Sequence, residues 1–296
     1  MLPAQPILKC PVCDAPLTWS TRSATCPQNH TFDIARSGYL NLLLPNKKHS
    51  REPGDSPAML RSRRAFLQAG FYDRMASATT VAVVEVVSGR EQANIADFGC
   101  GEGFFLAGLK RDLDRATIRP YGWFGVDISR TGVRMATTYD RDVRWIVASL
   151  HESPFLPQSL DVVLSMCAPI AAADLRRVVR HDGALVTVTP GPDHLDALRA
   201  LIYPTVVPHL PTPALMAGDT HFNLSGSSRV RYPIAVNSQE DISNLLAMTP
   251  YYWNISRETK ALVEARSRLD LTVDVNVSVF RLSSLKSQVS SLKSEV

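Results

Sequence analysis

The sequence predicts an α/β protein: a Rossmann-like, doubly wound, mostly parallel sheet preceded by a small N-terminal zinc-binding domain. Three observations carry this: four metal-type ligands within the first 30 residues, dense β–α alternation from about residue 74, and an acid followed by Gly-x-Gly-x-Gly at a strand tip. A length of 296 residues suggests about two domains. With 45% hydrophobic and 20% charged residues and a mean hydropathy of -0.04, the chain reads as neither a disordered polyelectrolyte nor a membrane protein. The opening Met-Leu-Pro-Ala-Gln-Pro lacks the charged-then-apolar layout of a secretory signal, so a cytoplasmic protein is expected.

The first element is C-x2-C-x12-C-x3-H, formed by Cys10, Cys13, Cys26 and His30. A tetrahedral zinc ion takes four such ligands, and with all four supplied by protein the site is structural, one ion per chain. Pro11, Asp14, Pro27, Gln28 and Asn29 are the turn-formers that each knuckle needs. A disulfide is the competing reading, and it fits a cytosolic chain poorly. Cys100 and Cys167, beside strand ends, are expected to be small buried hydrophobes. Thr31 to Leu44 reads as a strand and a turn around Gly38, closing a module over residues 1–44.

Residues 45–73 form a basic linker and helix, the helix starting near Ser56 or Pro57. Residues 1–75 hold ten Lys or Arg against five acids, whereas the chain as a whole carries only +4. This asymmetry suits a polyanion, with Lys47, Lys48, Arg51, Arg61, Arg63 and Arg64 as candidate phosphate contacts. A solvated basic face is the bland reading of the same residues.

Residues 74–282 form the catalytic-type domain. A helix over 74–88 precedes the strand Asn94 to Phe98, with further strands at 122–126, 143–148, 160–165 and 183–189 and a helix at 174–180. The loop Asp97-Phe-Gly99-Cys-Gly101-Glu-Gly103 lets a ligand approach the main chain. A dinucleotide fingerprint would need a glycine where Phe104 stands, and a carboxylate at Asp97 suits a cation better than a phosphate. S-adenosylmethionine, cationic and without phosphate, fits, and Asp127 at the next strand tip can accept both ribose hydroxyls. That implies a Rossmann-like methyltransferase with a seven-stranded sheet. Ser149, after the third strand, is positioned to touch the adenine.

The motifs Cys10-Pro-Val-Cys13, Cys26-Pro-Gln-Asn-His30, Phe32-Asp33, Arg63-Arg64-Ala65-Phe66-Leu67, Thr189-Pro-Gly-Pro192 with His194-Leu195, and Met248-Thr249-Pro250 with Trp253 resemble the bacterial 23S rRNA guanine-N1 methyltransferases of the RlmA type. The resemblance runs from about residue 8 to 280. It implies methylation of N1 of a guanine in a hairpin loop near the peptide exit tunnel, with Tyr72, Gly101, Glu102 and His194 touching the cofactor. The chain departs from that family at Ser165-Met-Cys-Ala-Pro169, which keeps only Ala-Pro, and at Arg180-His-Asp-Gly183.

Residues 195–238, rich in proline, read as an insertion near the acceptor site, with Tyr203, His209 and His221 as candidate faces for an extruded base or merely a lid. The alternating segment 271–280 is expected to be an antiparallel edge strand, and 283–296 a disordered tail. The guanine N1 proton must go somewhere, and His151, His194 or water could take it. A small-molecule methyltransferase and a nonenzymatic RNA-binding protein are the rival readings. The oligomeric state, a homodimer included, is open.

Overall fold

The computed structural model describes residues 6–47, 53–116, 121–203, 205, 221–253 and 255–283. Lys48, Arg51, His209 and the expected tail beyond Ser283 lie outside them.

Three short strands, β1 (Thr18–Trp19), β2 (Ser23–Thr25) and β3 (Thr31–Asp33), make an antiparallel ribbon. The large sheet has, among the described residues, eight strands ordered β10-β11-β9-β8-β5-β6-β7-β4. Its centre is parallel: β5 (Asn94–Phe98), β6 (Gly122–Asp127), β7 (Arg144–Val147), β8 (Leu160–Met166) and β9 (Val179–Pro190). Six of the eight lie where strands were expected, and β10 (Phe222–Val236), from the segment expected as an insertion, makes the seventh strand of the methyltransferase sheet. The eighth, β4 (Tyr39–Asn41), comes from the zinc module and pairs parallel to β7, so residues 1–44 are not free-standing.

One sheet face is covered by helices whose apolar residues recur at helical spacing. They include α2 (Asp73–Val87, burying Met75, Val83 and Val86), α3 (Phe104–Ala116, burying Leu106, Leu109 and Leu113) and α4 (Arg130–Ala136, burying Val133 and Ala136). The other face, over β5, β6 and β7, is covered by the zinc module. Its Leu8, Leu17, Ala24 and Leu42 pack with Phe98, Phe124, Ile146 and Phe155. Phe155 stacks on Phe98 at 5.7 Å and meets Phe124 edge-on at 5.5 Å. Main-chain bonds join the two parts: Lys9 N–H to Pro154 O at 2.9 Å and Leu156 N–H to Ile7 O at 2.8 Å.

α1 (Pro57–Gln68) begins as expected, with Pro57 first and the Ser56 hydroxyl accepting from the Met59 N–H at 3.2 Å. Within the expected insertion, 195–238, the described residues hold α6 (Asp196–Ile202) and the strand β10 (Phe222–Val236). β10 pairs antiparallel along β11 (Leu269–Leu282), which pairs in turn with β9. β11 is therefore antiparallel but interior, and β10 is the edge. Pro233 sits in β10 at no cost to an inner ladder, which is where an edge strand tolerates proline. α5 (Ala172–Val178), α7 (Gln239–Met248) and α8 (Arg257–Glu264) complete the layers.

Candidate functional site

The carboxyl ends of β5 and β6 converge on the glycine loop. Gly99 (φ 83°), Gly101 (φ 55°) and Gly103 (φ 90°) all lie in the left-handed region. A Cβ on Gly99 would come within 2.5 Å of the Ala168 Cβ, and one on Gly103 within 2.6 Å of the Ala136 Cβ. Gly103 thus supplies the close helix–strand packing that the missing glycine at Phe104 would have served. The Asp127 carboxylate pins the loop: Gly101 N–H donates to Oδ2 at 2.9 Å and Ser129 N–H to Oδ1 at 2.7 Å. Each oxygen keeps a lone pair for a ribose hydroxyl.

Asp97 is 2% exposed, and its Oδ1 has no hydrogen-bond partner. Burial, with the neighbouring Asp127 charge, pushes its carboxyl up to about 7. A buried, unpartnered carboxylate oxygen beside a glycine cradle is the complement of an ammonium group, as on the methionyl end of S-adenosylmethionine. The residues present therefore fit the cofactor.

Glu102 is buried and turned away from open space. Its Oε2 accepts from Arg64 Nε at 2.8 Å and its Oε1 from Phe104 N–H at 3.3 Å, capping α3. Arg64 also donates to Met135 O at 2.8 Å and lies 4.6 Å above the Tyr139 ring. Arg63 pairs with Asp55 at 2.5 Å, and its guanidinium would be 3.3 Å from a Cβ on Gly101. Both arginines, expected at phosphates, lie beside the glycine loop. Arg61 is exposed, and Lys47 is exposed and paired with Glu152 at 2.6 Å. Lys48 and Arg51 are not among the described residues.

Tyr72, which precedes α2, is buried, and burial raises its hydroxyl. Its Oη is 3.5 Å from His194 Nε2, so the two residues named by the family resemblance meet across 122 positions. The Ser149 hydroxyl accepts from the His151 N–H at 3.3 Å, on the loop after β7. His151 is exposed. Cys100 is buried as expected, whereas Cys167 is exposed just after β8 with φ 52°. The expectation of a buried Cys167 fails because its left-handed turn after β8 carries the side chain outward.

In the ribbon, the ligand atoms of Cys10, Cys13, Cys26 and His30 all lie within 4.8 Å of one another. Cys13 and Cys26 sulfurs are 3.7 Å apart, and His30 Nδ1 is 3.6 Å from Cys10 Sγ and 3.4 Å from Cys26 Sγ. A tetrahedron with Zn–S of about 2.3 Å and Zn–N of about 2.1 Å has edges of about 3.8 and 3.6 Å. The cluster fits zinc. Asp14 (φ 57°) and Asn29 (φ 63°) turn the two knuckles through the left-handed region that Asp and Asn tolerate.

Residues 8–51 match a family model described as RlmA, N-terminal, and residues 95–183 one described as Methyltransferase domain. A Bacillus subtilis (strain 168) protein named "Putative 23S rRNA (guanine-N(1)-)-methyltransferase YxjB" is 33% identical over 278 residues, covering 92% of this chain and 96% of that protein. The 23S rRNA (guanine(748)-N(1))-methyltransferase of Streptomyces fradiae is 27% identical over 278 residues, covering 93% of this chain and 96% of that one. A malonyl-[acyl-carrier protein] O-methyltransferase of Halorhodospira halophila is 28% identical over 162 residues, or 50% of this chain. With its zinc ribbon and its S-adenosylmethionine cleft in one frame, and with a relative 33% identical over nearly its whole length, the chain belongs to the 23S rRNA (guanine-N1) methyltransferase family.

Proposed function

We propose that the protein methylates N1 of one guanine in a hairpin loop of 23S rRNA near the peptide exit tunnel, as a cytoplasmic enzyme. The observation that carries this reading is the full-length similarity, ribbon included, to proteins named for that reaction on 23S rRNA. The cleft supports it, since Asp97 offers an unpartnered carboxylate oxygen where a cationic methyl donor needs one.

S-adenosylmethionine supplies an already activated methyl group when bound, so the chain chiefly aligns the acceptor nitrogen and excludes water. Asp97 holds the cofactor's ammonium group, Asp127 its ribose, and the main chain at Gly99, Gly101 and Gly103 lies along it. Ser149 is placed for the adenine, and Tyr72 with His194 for the methionyl end. Glu102 acts through the loop, tying it to α3 and to Arg64. Lys47, Lys48, Arg51 and Arg61 grip RNA phosphates beside the ribbon, while Arg63 and Arg64 brace the cofactor loop. RNA is read by phosphates, shape and splayed loop bases, which suits a basic linker between a ribbon and a cleft. No helix among the described residues is long and apolar enough to cross a membrane.

The test is transfer of labelled methyl groups to 23S rRNA from cells lacking the protein, mapped by primer extension. A stop at one hairpin guanine, lost in Asp127→Ala, is the expected result. Cofactor binding without incorporation into RNA would favour a small-molecule acceptor.

A further inference from the structure

The loop Pro190–Leu195 that carries His194 is bonded from two sides. On one side Asp274 of β11, 0% exposed, takes the Gly191 N–H on its carbonyl at 2.7 Å and the Asp193 N–H on Oδ2 at 3.0 Å. On the other, Arg199 of α6, 3% exposed, donates to the carbonyls of Pro192 at 3.2 Å and His194 at 3.3 Å. The Asp274 carboxylate is itself clasped by Arg229 of β10, Nε to Oδ1 at 2.7 Å and Nη2 to Oδ2 at 2.8 Å. That bidentate pair fixes orientation as well as charge, and the guanidinium holds the Asp274 carboxyl below the usual carboxylate range. Gly191 is required beside it, because a Cβ there would lie 2.4 Å from Asp274 Oδ2. Leu195 follows at φ 50°, returning the chain into α6 with its N–H on Thr272 O at 2.8 Å.

The Asp274 main-chain N–H donates to His194 Nδ1 at 3.2 Å. A ring nitrogen that accepts from an amide carries no proton, so the imidazole is neutral and its proton sits on Nε2. Nε2 is the nitrogen 3.5 Å from the Tyr72 hydroxyl.

We propose that Asp274 is a positioning residue, its main-chain N–H holding His194 in the Nε2–H tautomer and its Arg229-locked carboxylate holding the loop that aims the ring, so that His194 serves the reaction as a hydrogen-bond donor to an acceptor group of the bound cofactor and not as the general base. The proposal rests on the cleft being the S-adenosylmethionine site. An imidazole with Nδ1 already accepting and Nε2 already protonated has no lone pair for the guanine N1 proton. That proton passes instead to His151 or to water.

The experiment uses the full chain. Long-range proton–nitrogen NMR correlations of His194 report its tautomer without cofactor or RNA. Calorimetry then gives S-adenosylmethionine affinity, and methyl transfer to 23S rRNA separates KM for the cofactor from kcat. Wild type should show the Nε2–H tautomer. Asp274→Asn keeps the main-chain N–H on His194 Nδ1 and so the tautomer, but it weakens the Arg229 fork and the hold on the loop; it should raise both Kd and KM about tenfold, with kcat within about threefold at saturating cofactor, since the lost interaction acts on binding. Arg229→Lys, which keeps the charge but not the fork, should give a smaller shift in the same direction and covers the case in which Asp274→Asn fails to fold. An Nδ1–H or doubly protonated ring in wild type would overturn the proposal. So would an unchanged Kd in both variants, or a fall in kcat of a hundredfold with Kd intact. Failure of wild type to bind S-adenosylmethionine would remove the cofactor reading, while the wild-type tautomer would still decide whether the Asp274 N–H holds Nδ1.

Discussion

Removing zinc, by chelation or by Cys10→Ser, is expected to unfold the whole protein and not the ribbon alone. The ribbon covers β5, β6 and β7, where Phe98, Phe124, Ile146 and Phe155 are 0–3% exposed. Burial of each is worth about 1.5–3 kcal/mol, so uncovering the four forfeits roughly 6–12 kcal/mol as an upper bound. A domain's entire stability is about 5–15 kcal/mol, and a structural zinc contributes about 10–16 kcal/mol in finger-sized peptides. The core of the catalytic domain should therefore not outlast its cover. Scanning calorimetry of the full chain should show one transition with metal, and its collapse to a much lower temperature with chelator. Two transitions, the upper one indifferent to chelator, would refute the reasoning and make the ribbon an independent appendage.

Asp97 gives a pH prediction. Its carboxyl is raised from 3.8 to about 7, so between about pH 4 and 7 the folded apo protein binds more protons than the unfolded chain. Apo stability should therefore fall as pH rises through that window, while cofactor affinity, which needs the carboxylate, should fall up to tenfold per unit below about pH 7. Affinity flat from pH 5.5 to 8 by calorimetry would contradict this, and Asp97→Asn should both abolish the pH dependence and weaken binding. Gly103→Ala, with a Cβ 2.6 Å from Ala136 and φ 90°, should cost about 2–4 kcal/mol in urea unfolding. Gly38→Ala, at φ 103° with nothing within 4 Å, should cost only about 1 kcal/mol of backbone strain. Arg64→Ala should weaken cofactor binding, read by calorimetry, more than it weakens binding to RNA, because its fork is spent on Glu102 and Met135.

What the sequence made legible was local. The zinc ligands fall within 21 residues and the glycine loop within seven, so spacing alone exposed both. The strands β5 through β9 announced themselves as apolar runs because both of their faces are buried. β10 did not: Ser, Gly and Arg fill its middle, since an edge strand with one wet face needs neither alternation nor strong propensity. The pairing of β4 with β7 joins segments about a hundred residues apart, and no local pattern encodes that. Tyr72 and His194 were reached through resemblance alone, because a lone tyrosine and a lone histidine are ordinary until the fold places them side by side. Asp274 was hidden inside a plain alternating strand, where its charge looked like a wet face and is in fact the most buried carboxylate beside the His194 loop.

A module on a tether reaches wherever its linker allows, but β4 is hydrogen-bonded into the sheet. Three strand-to-strand steps separate it from β5 and the glycine loop, a span of about 14 Å at about 4.8 Å per step. Lengthening residues 48–52 would leave that span unchanged. The zinc module is thus gauged to the glycine loop by the sheet itself, and the spacing between them is set by strand count and not by linker length.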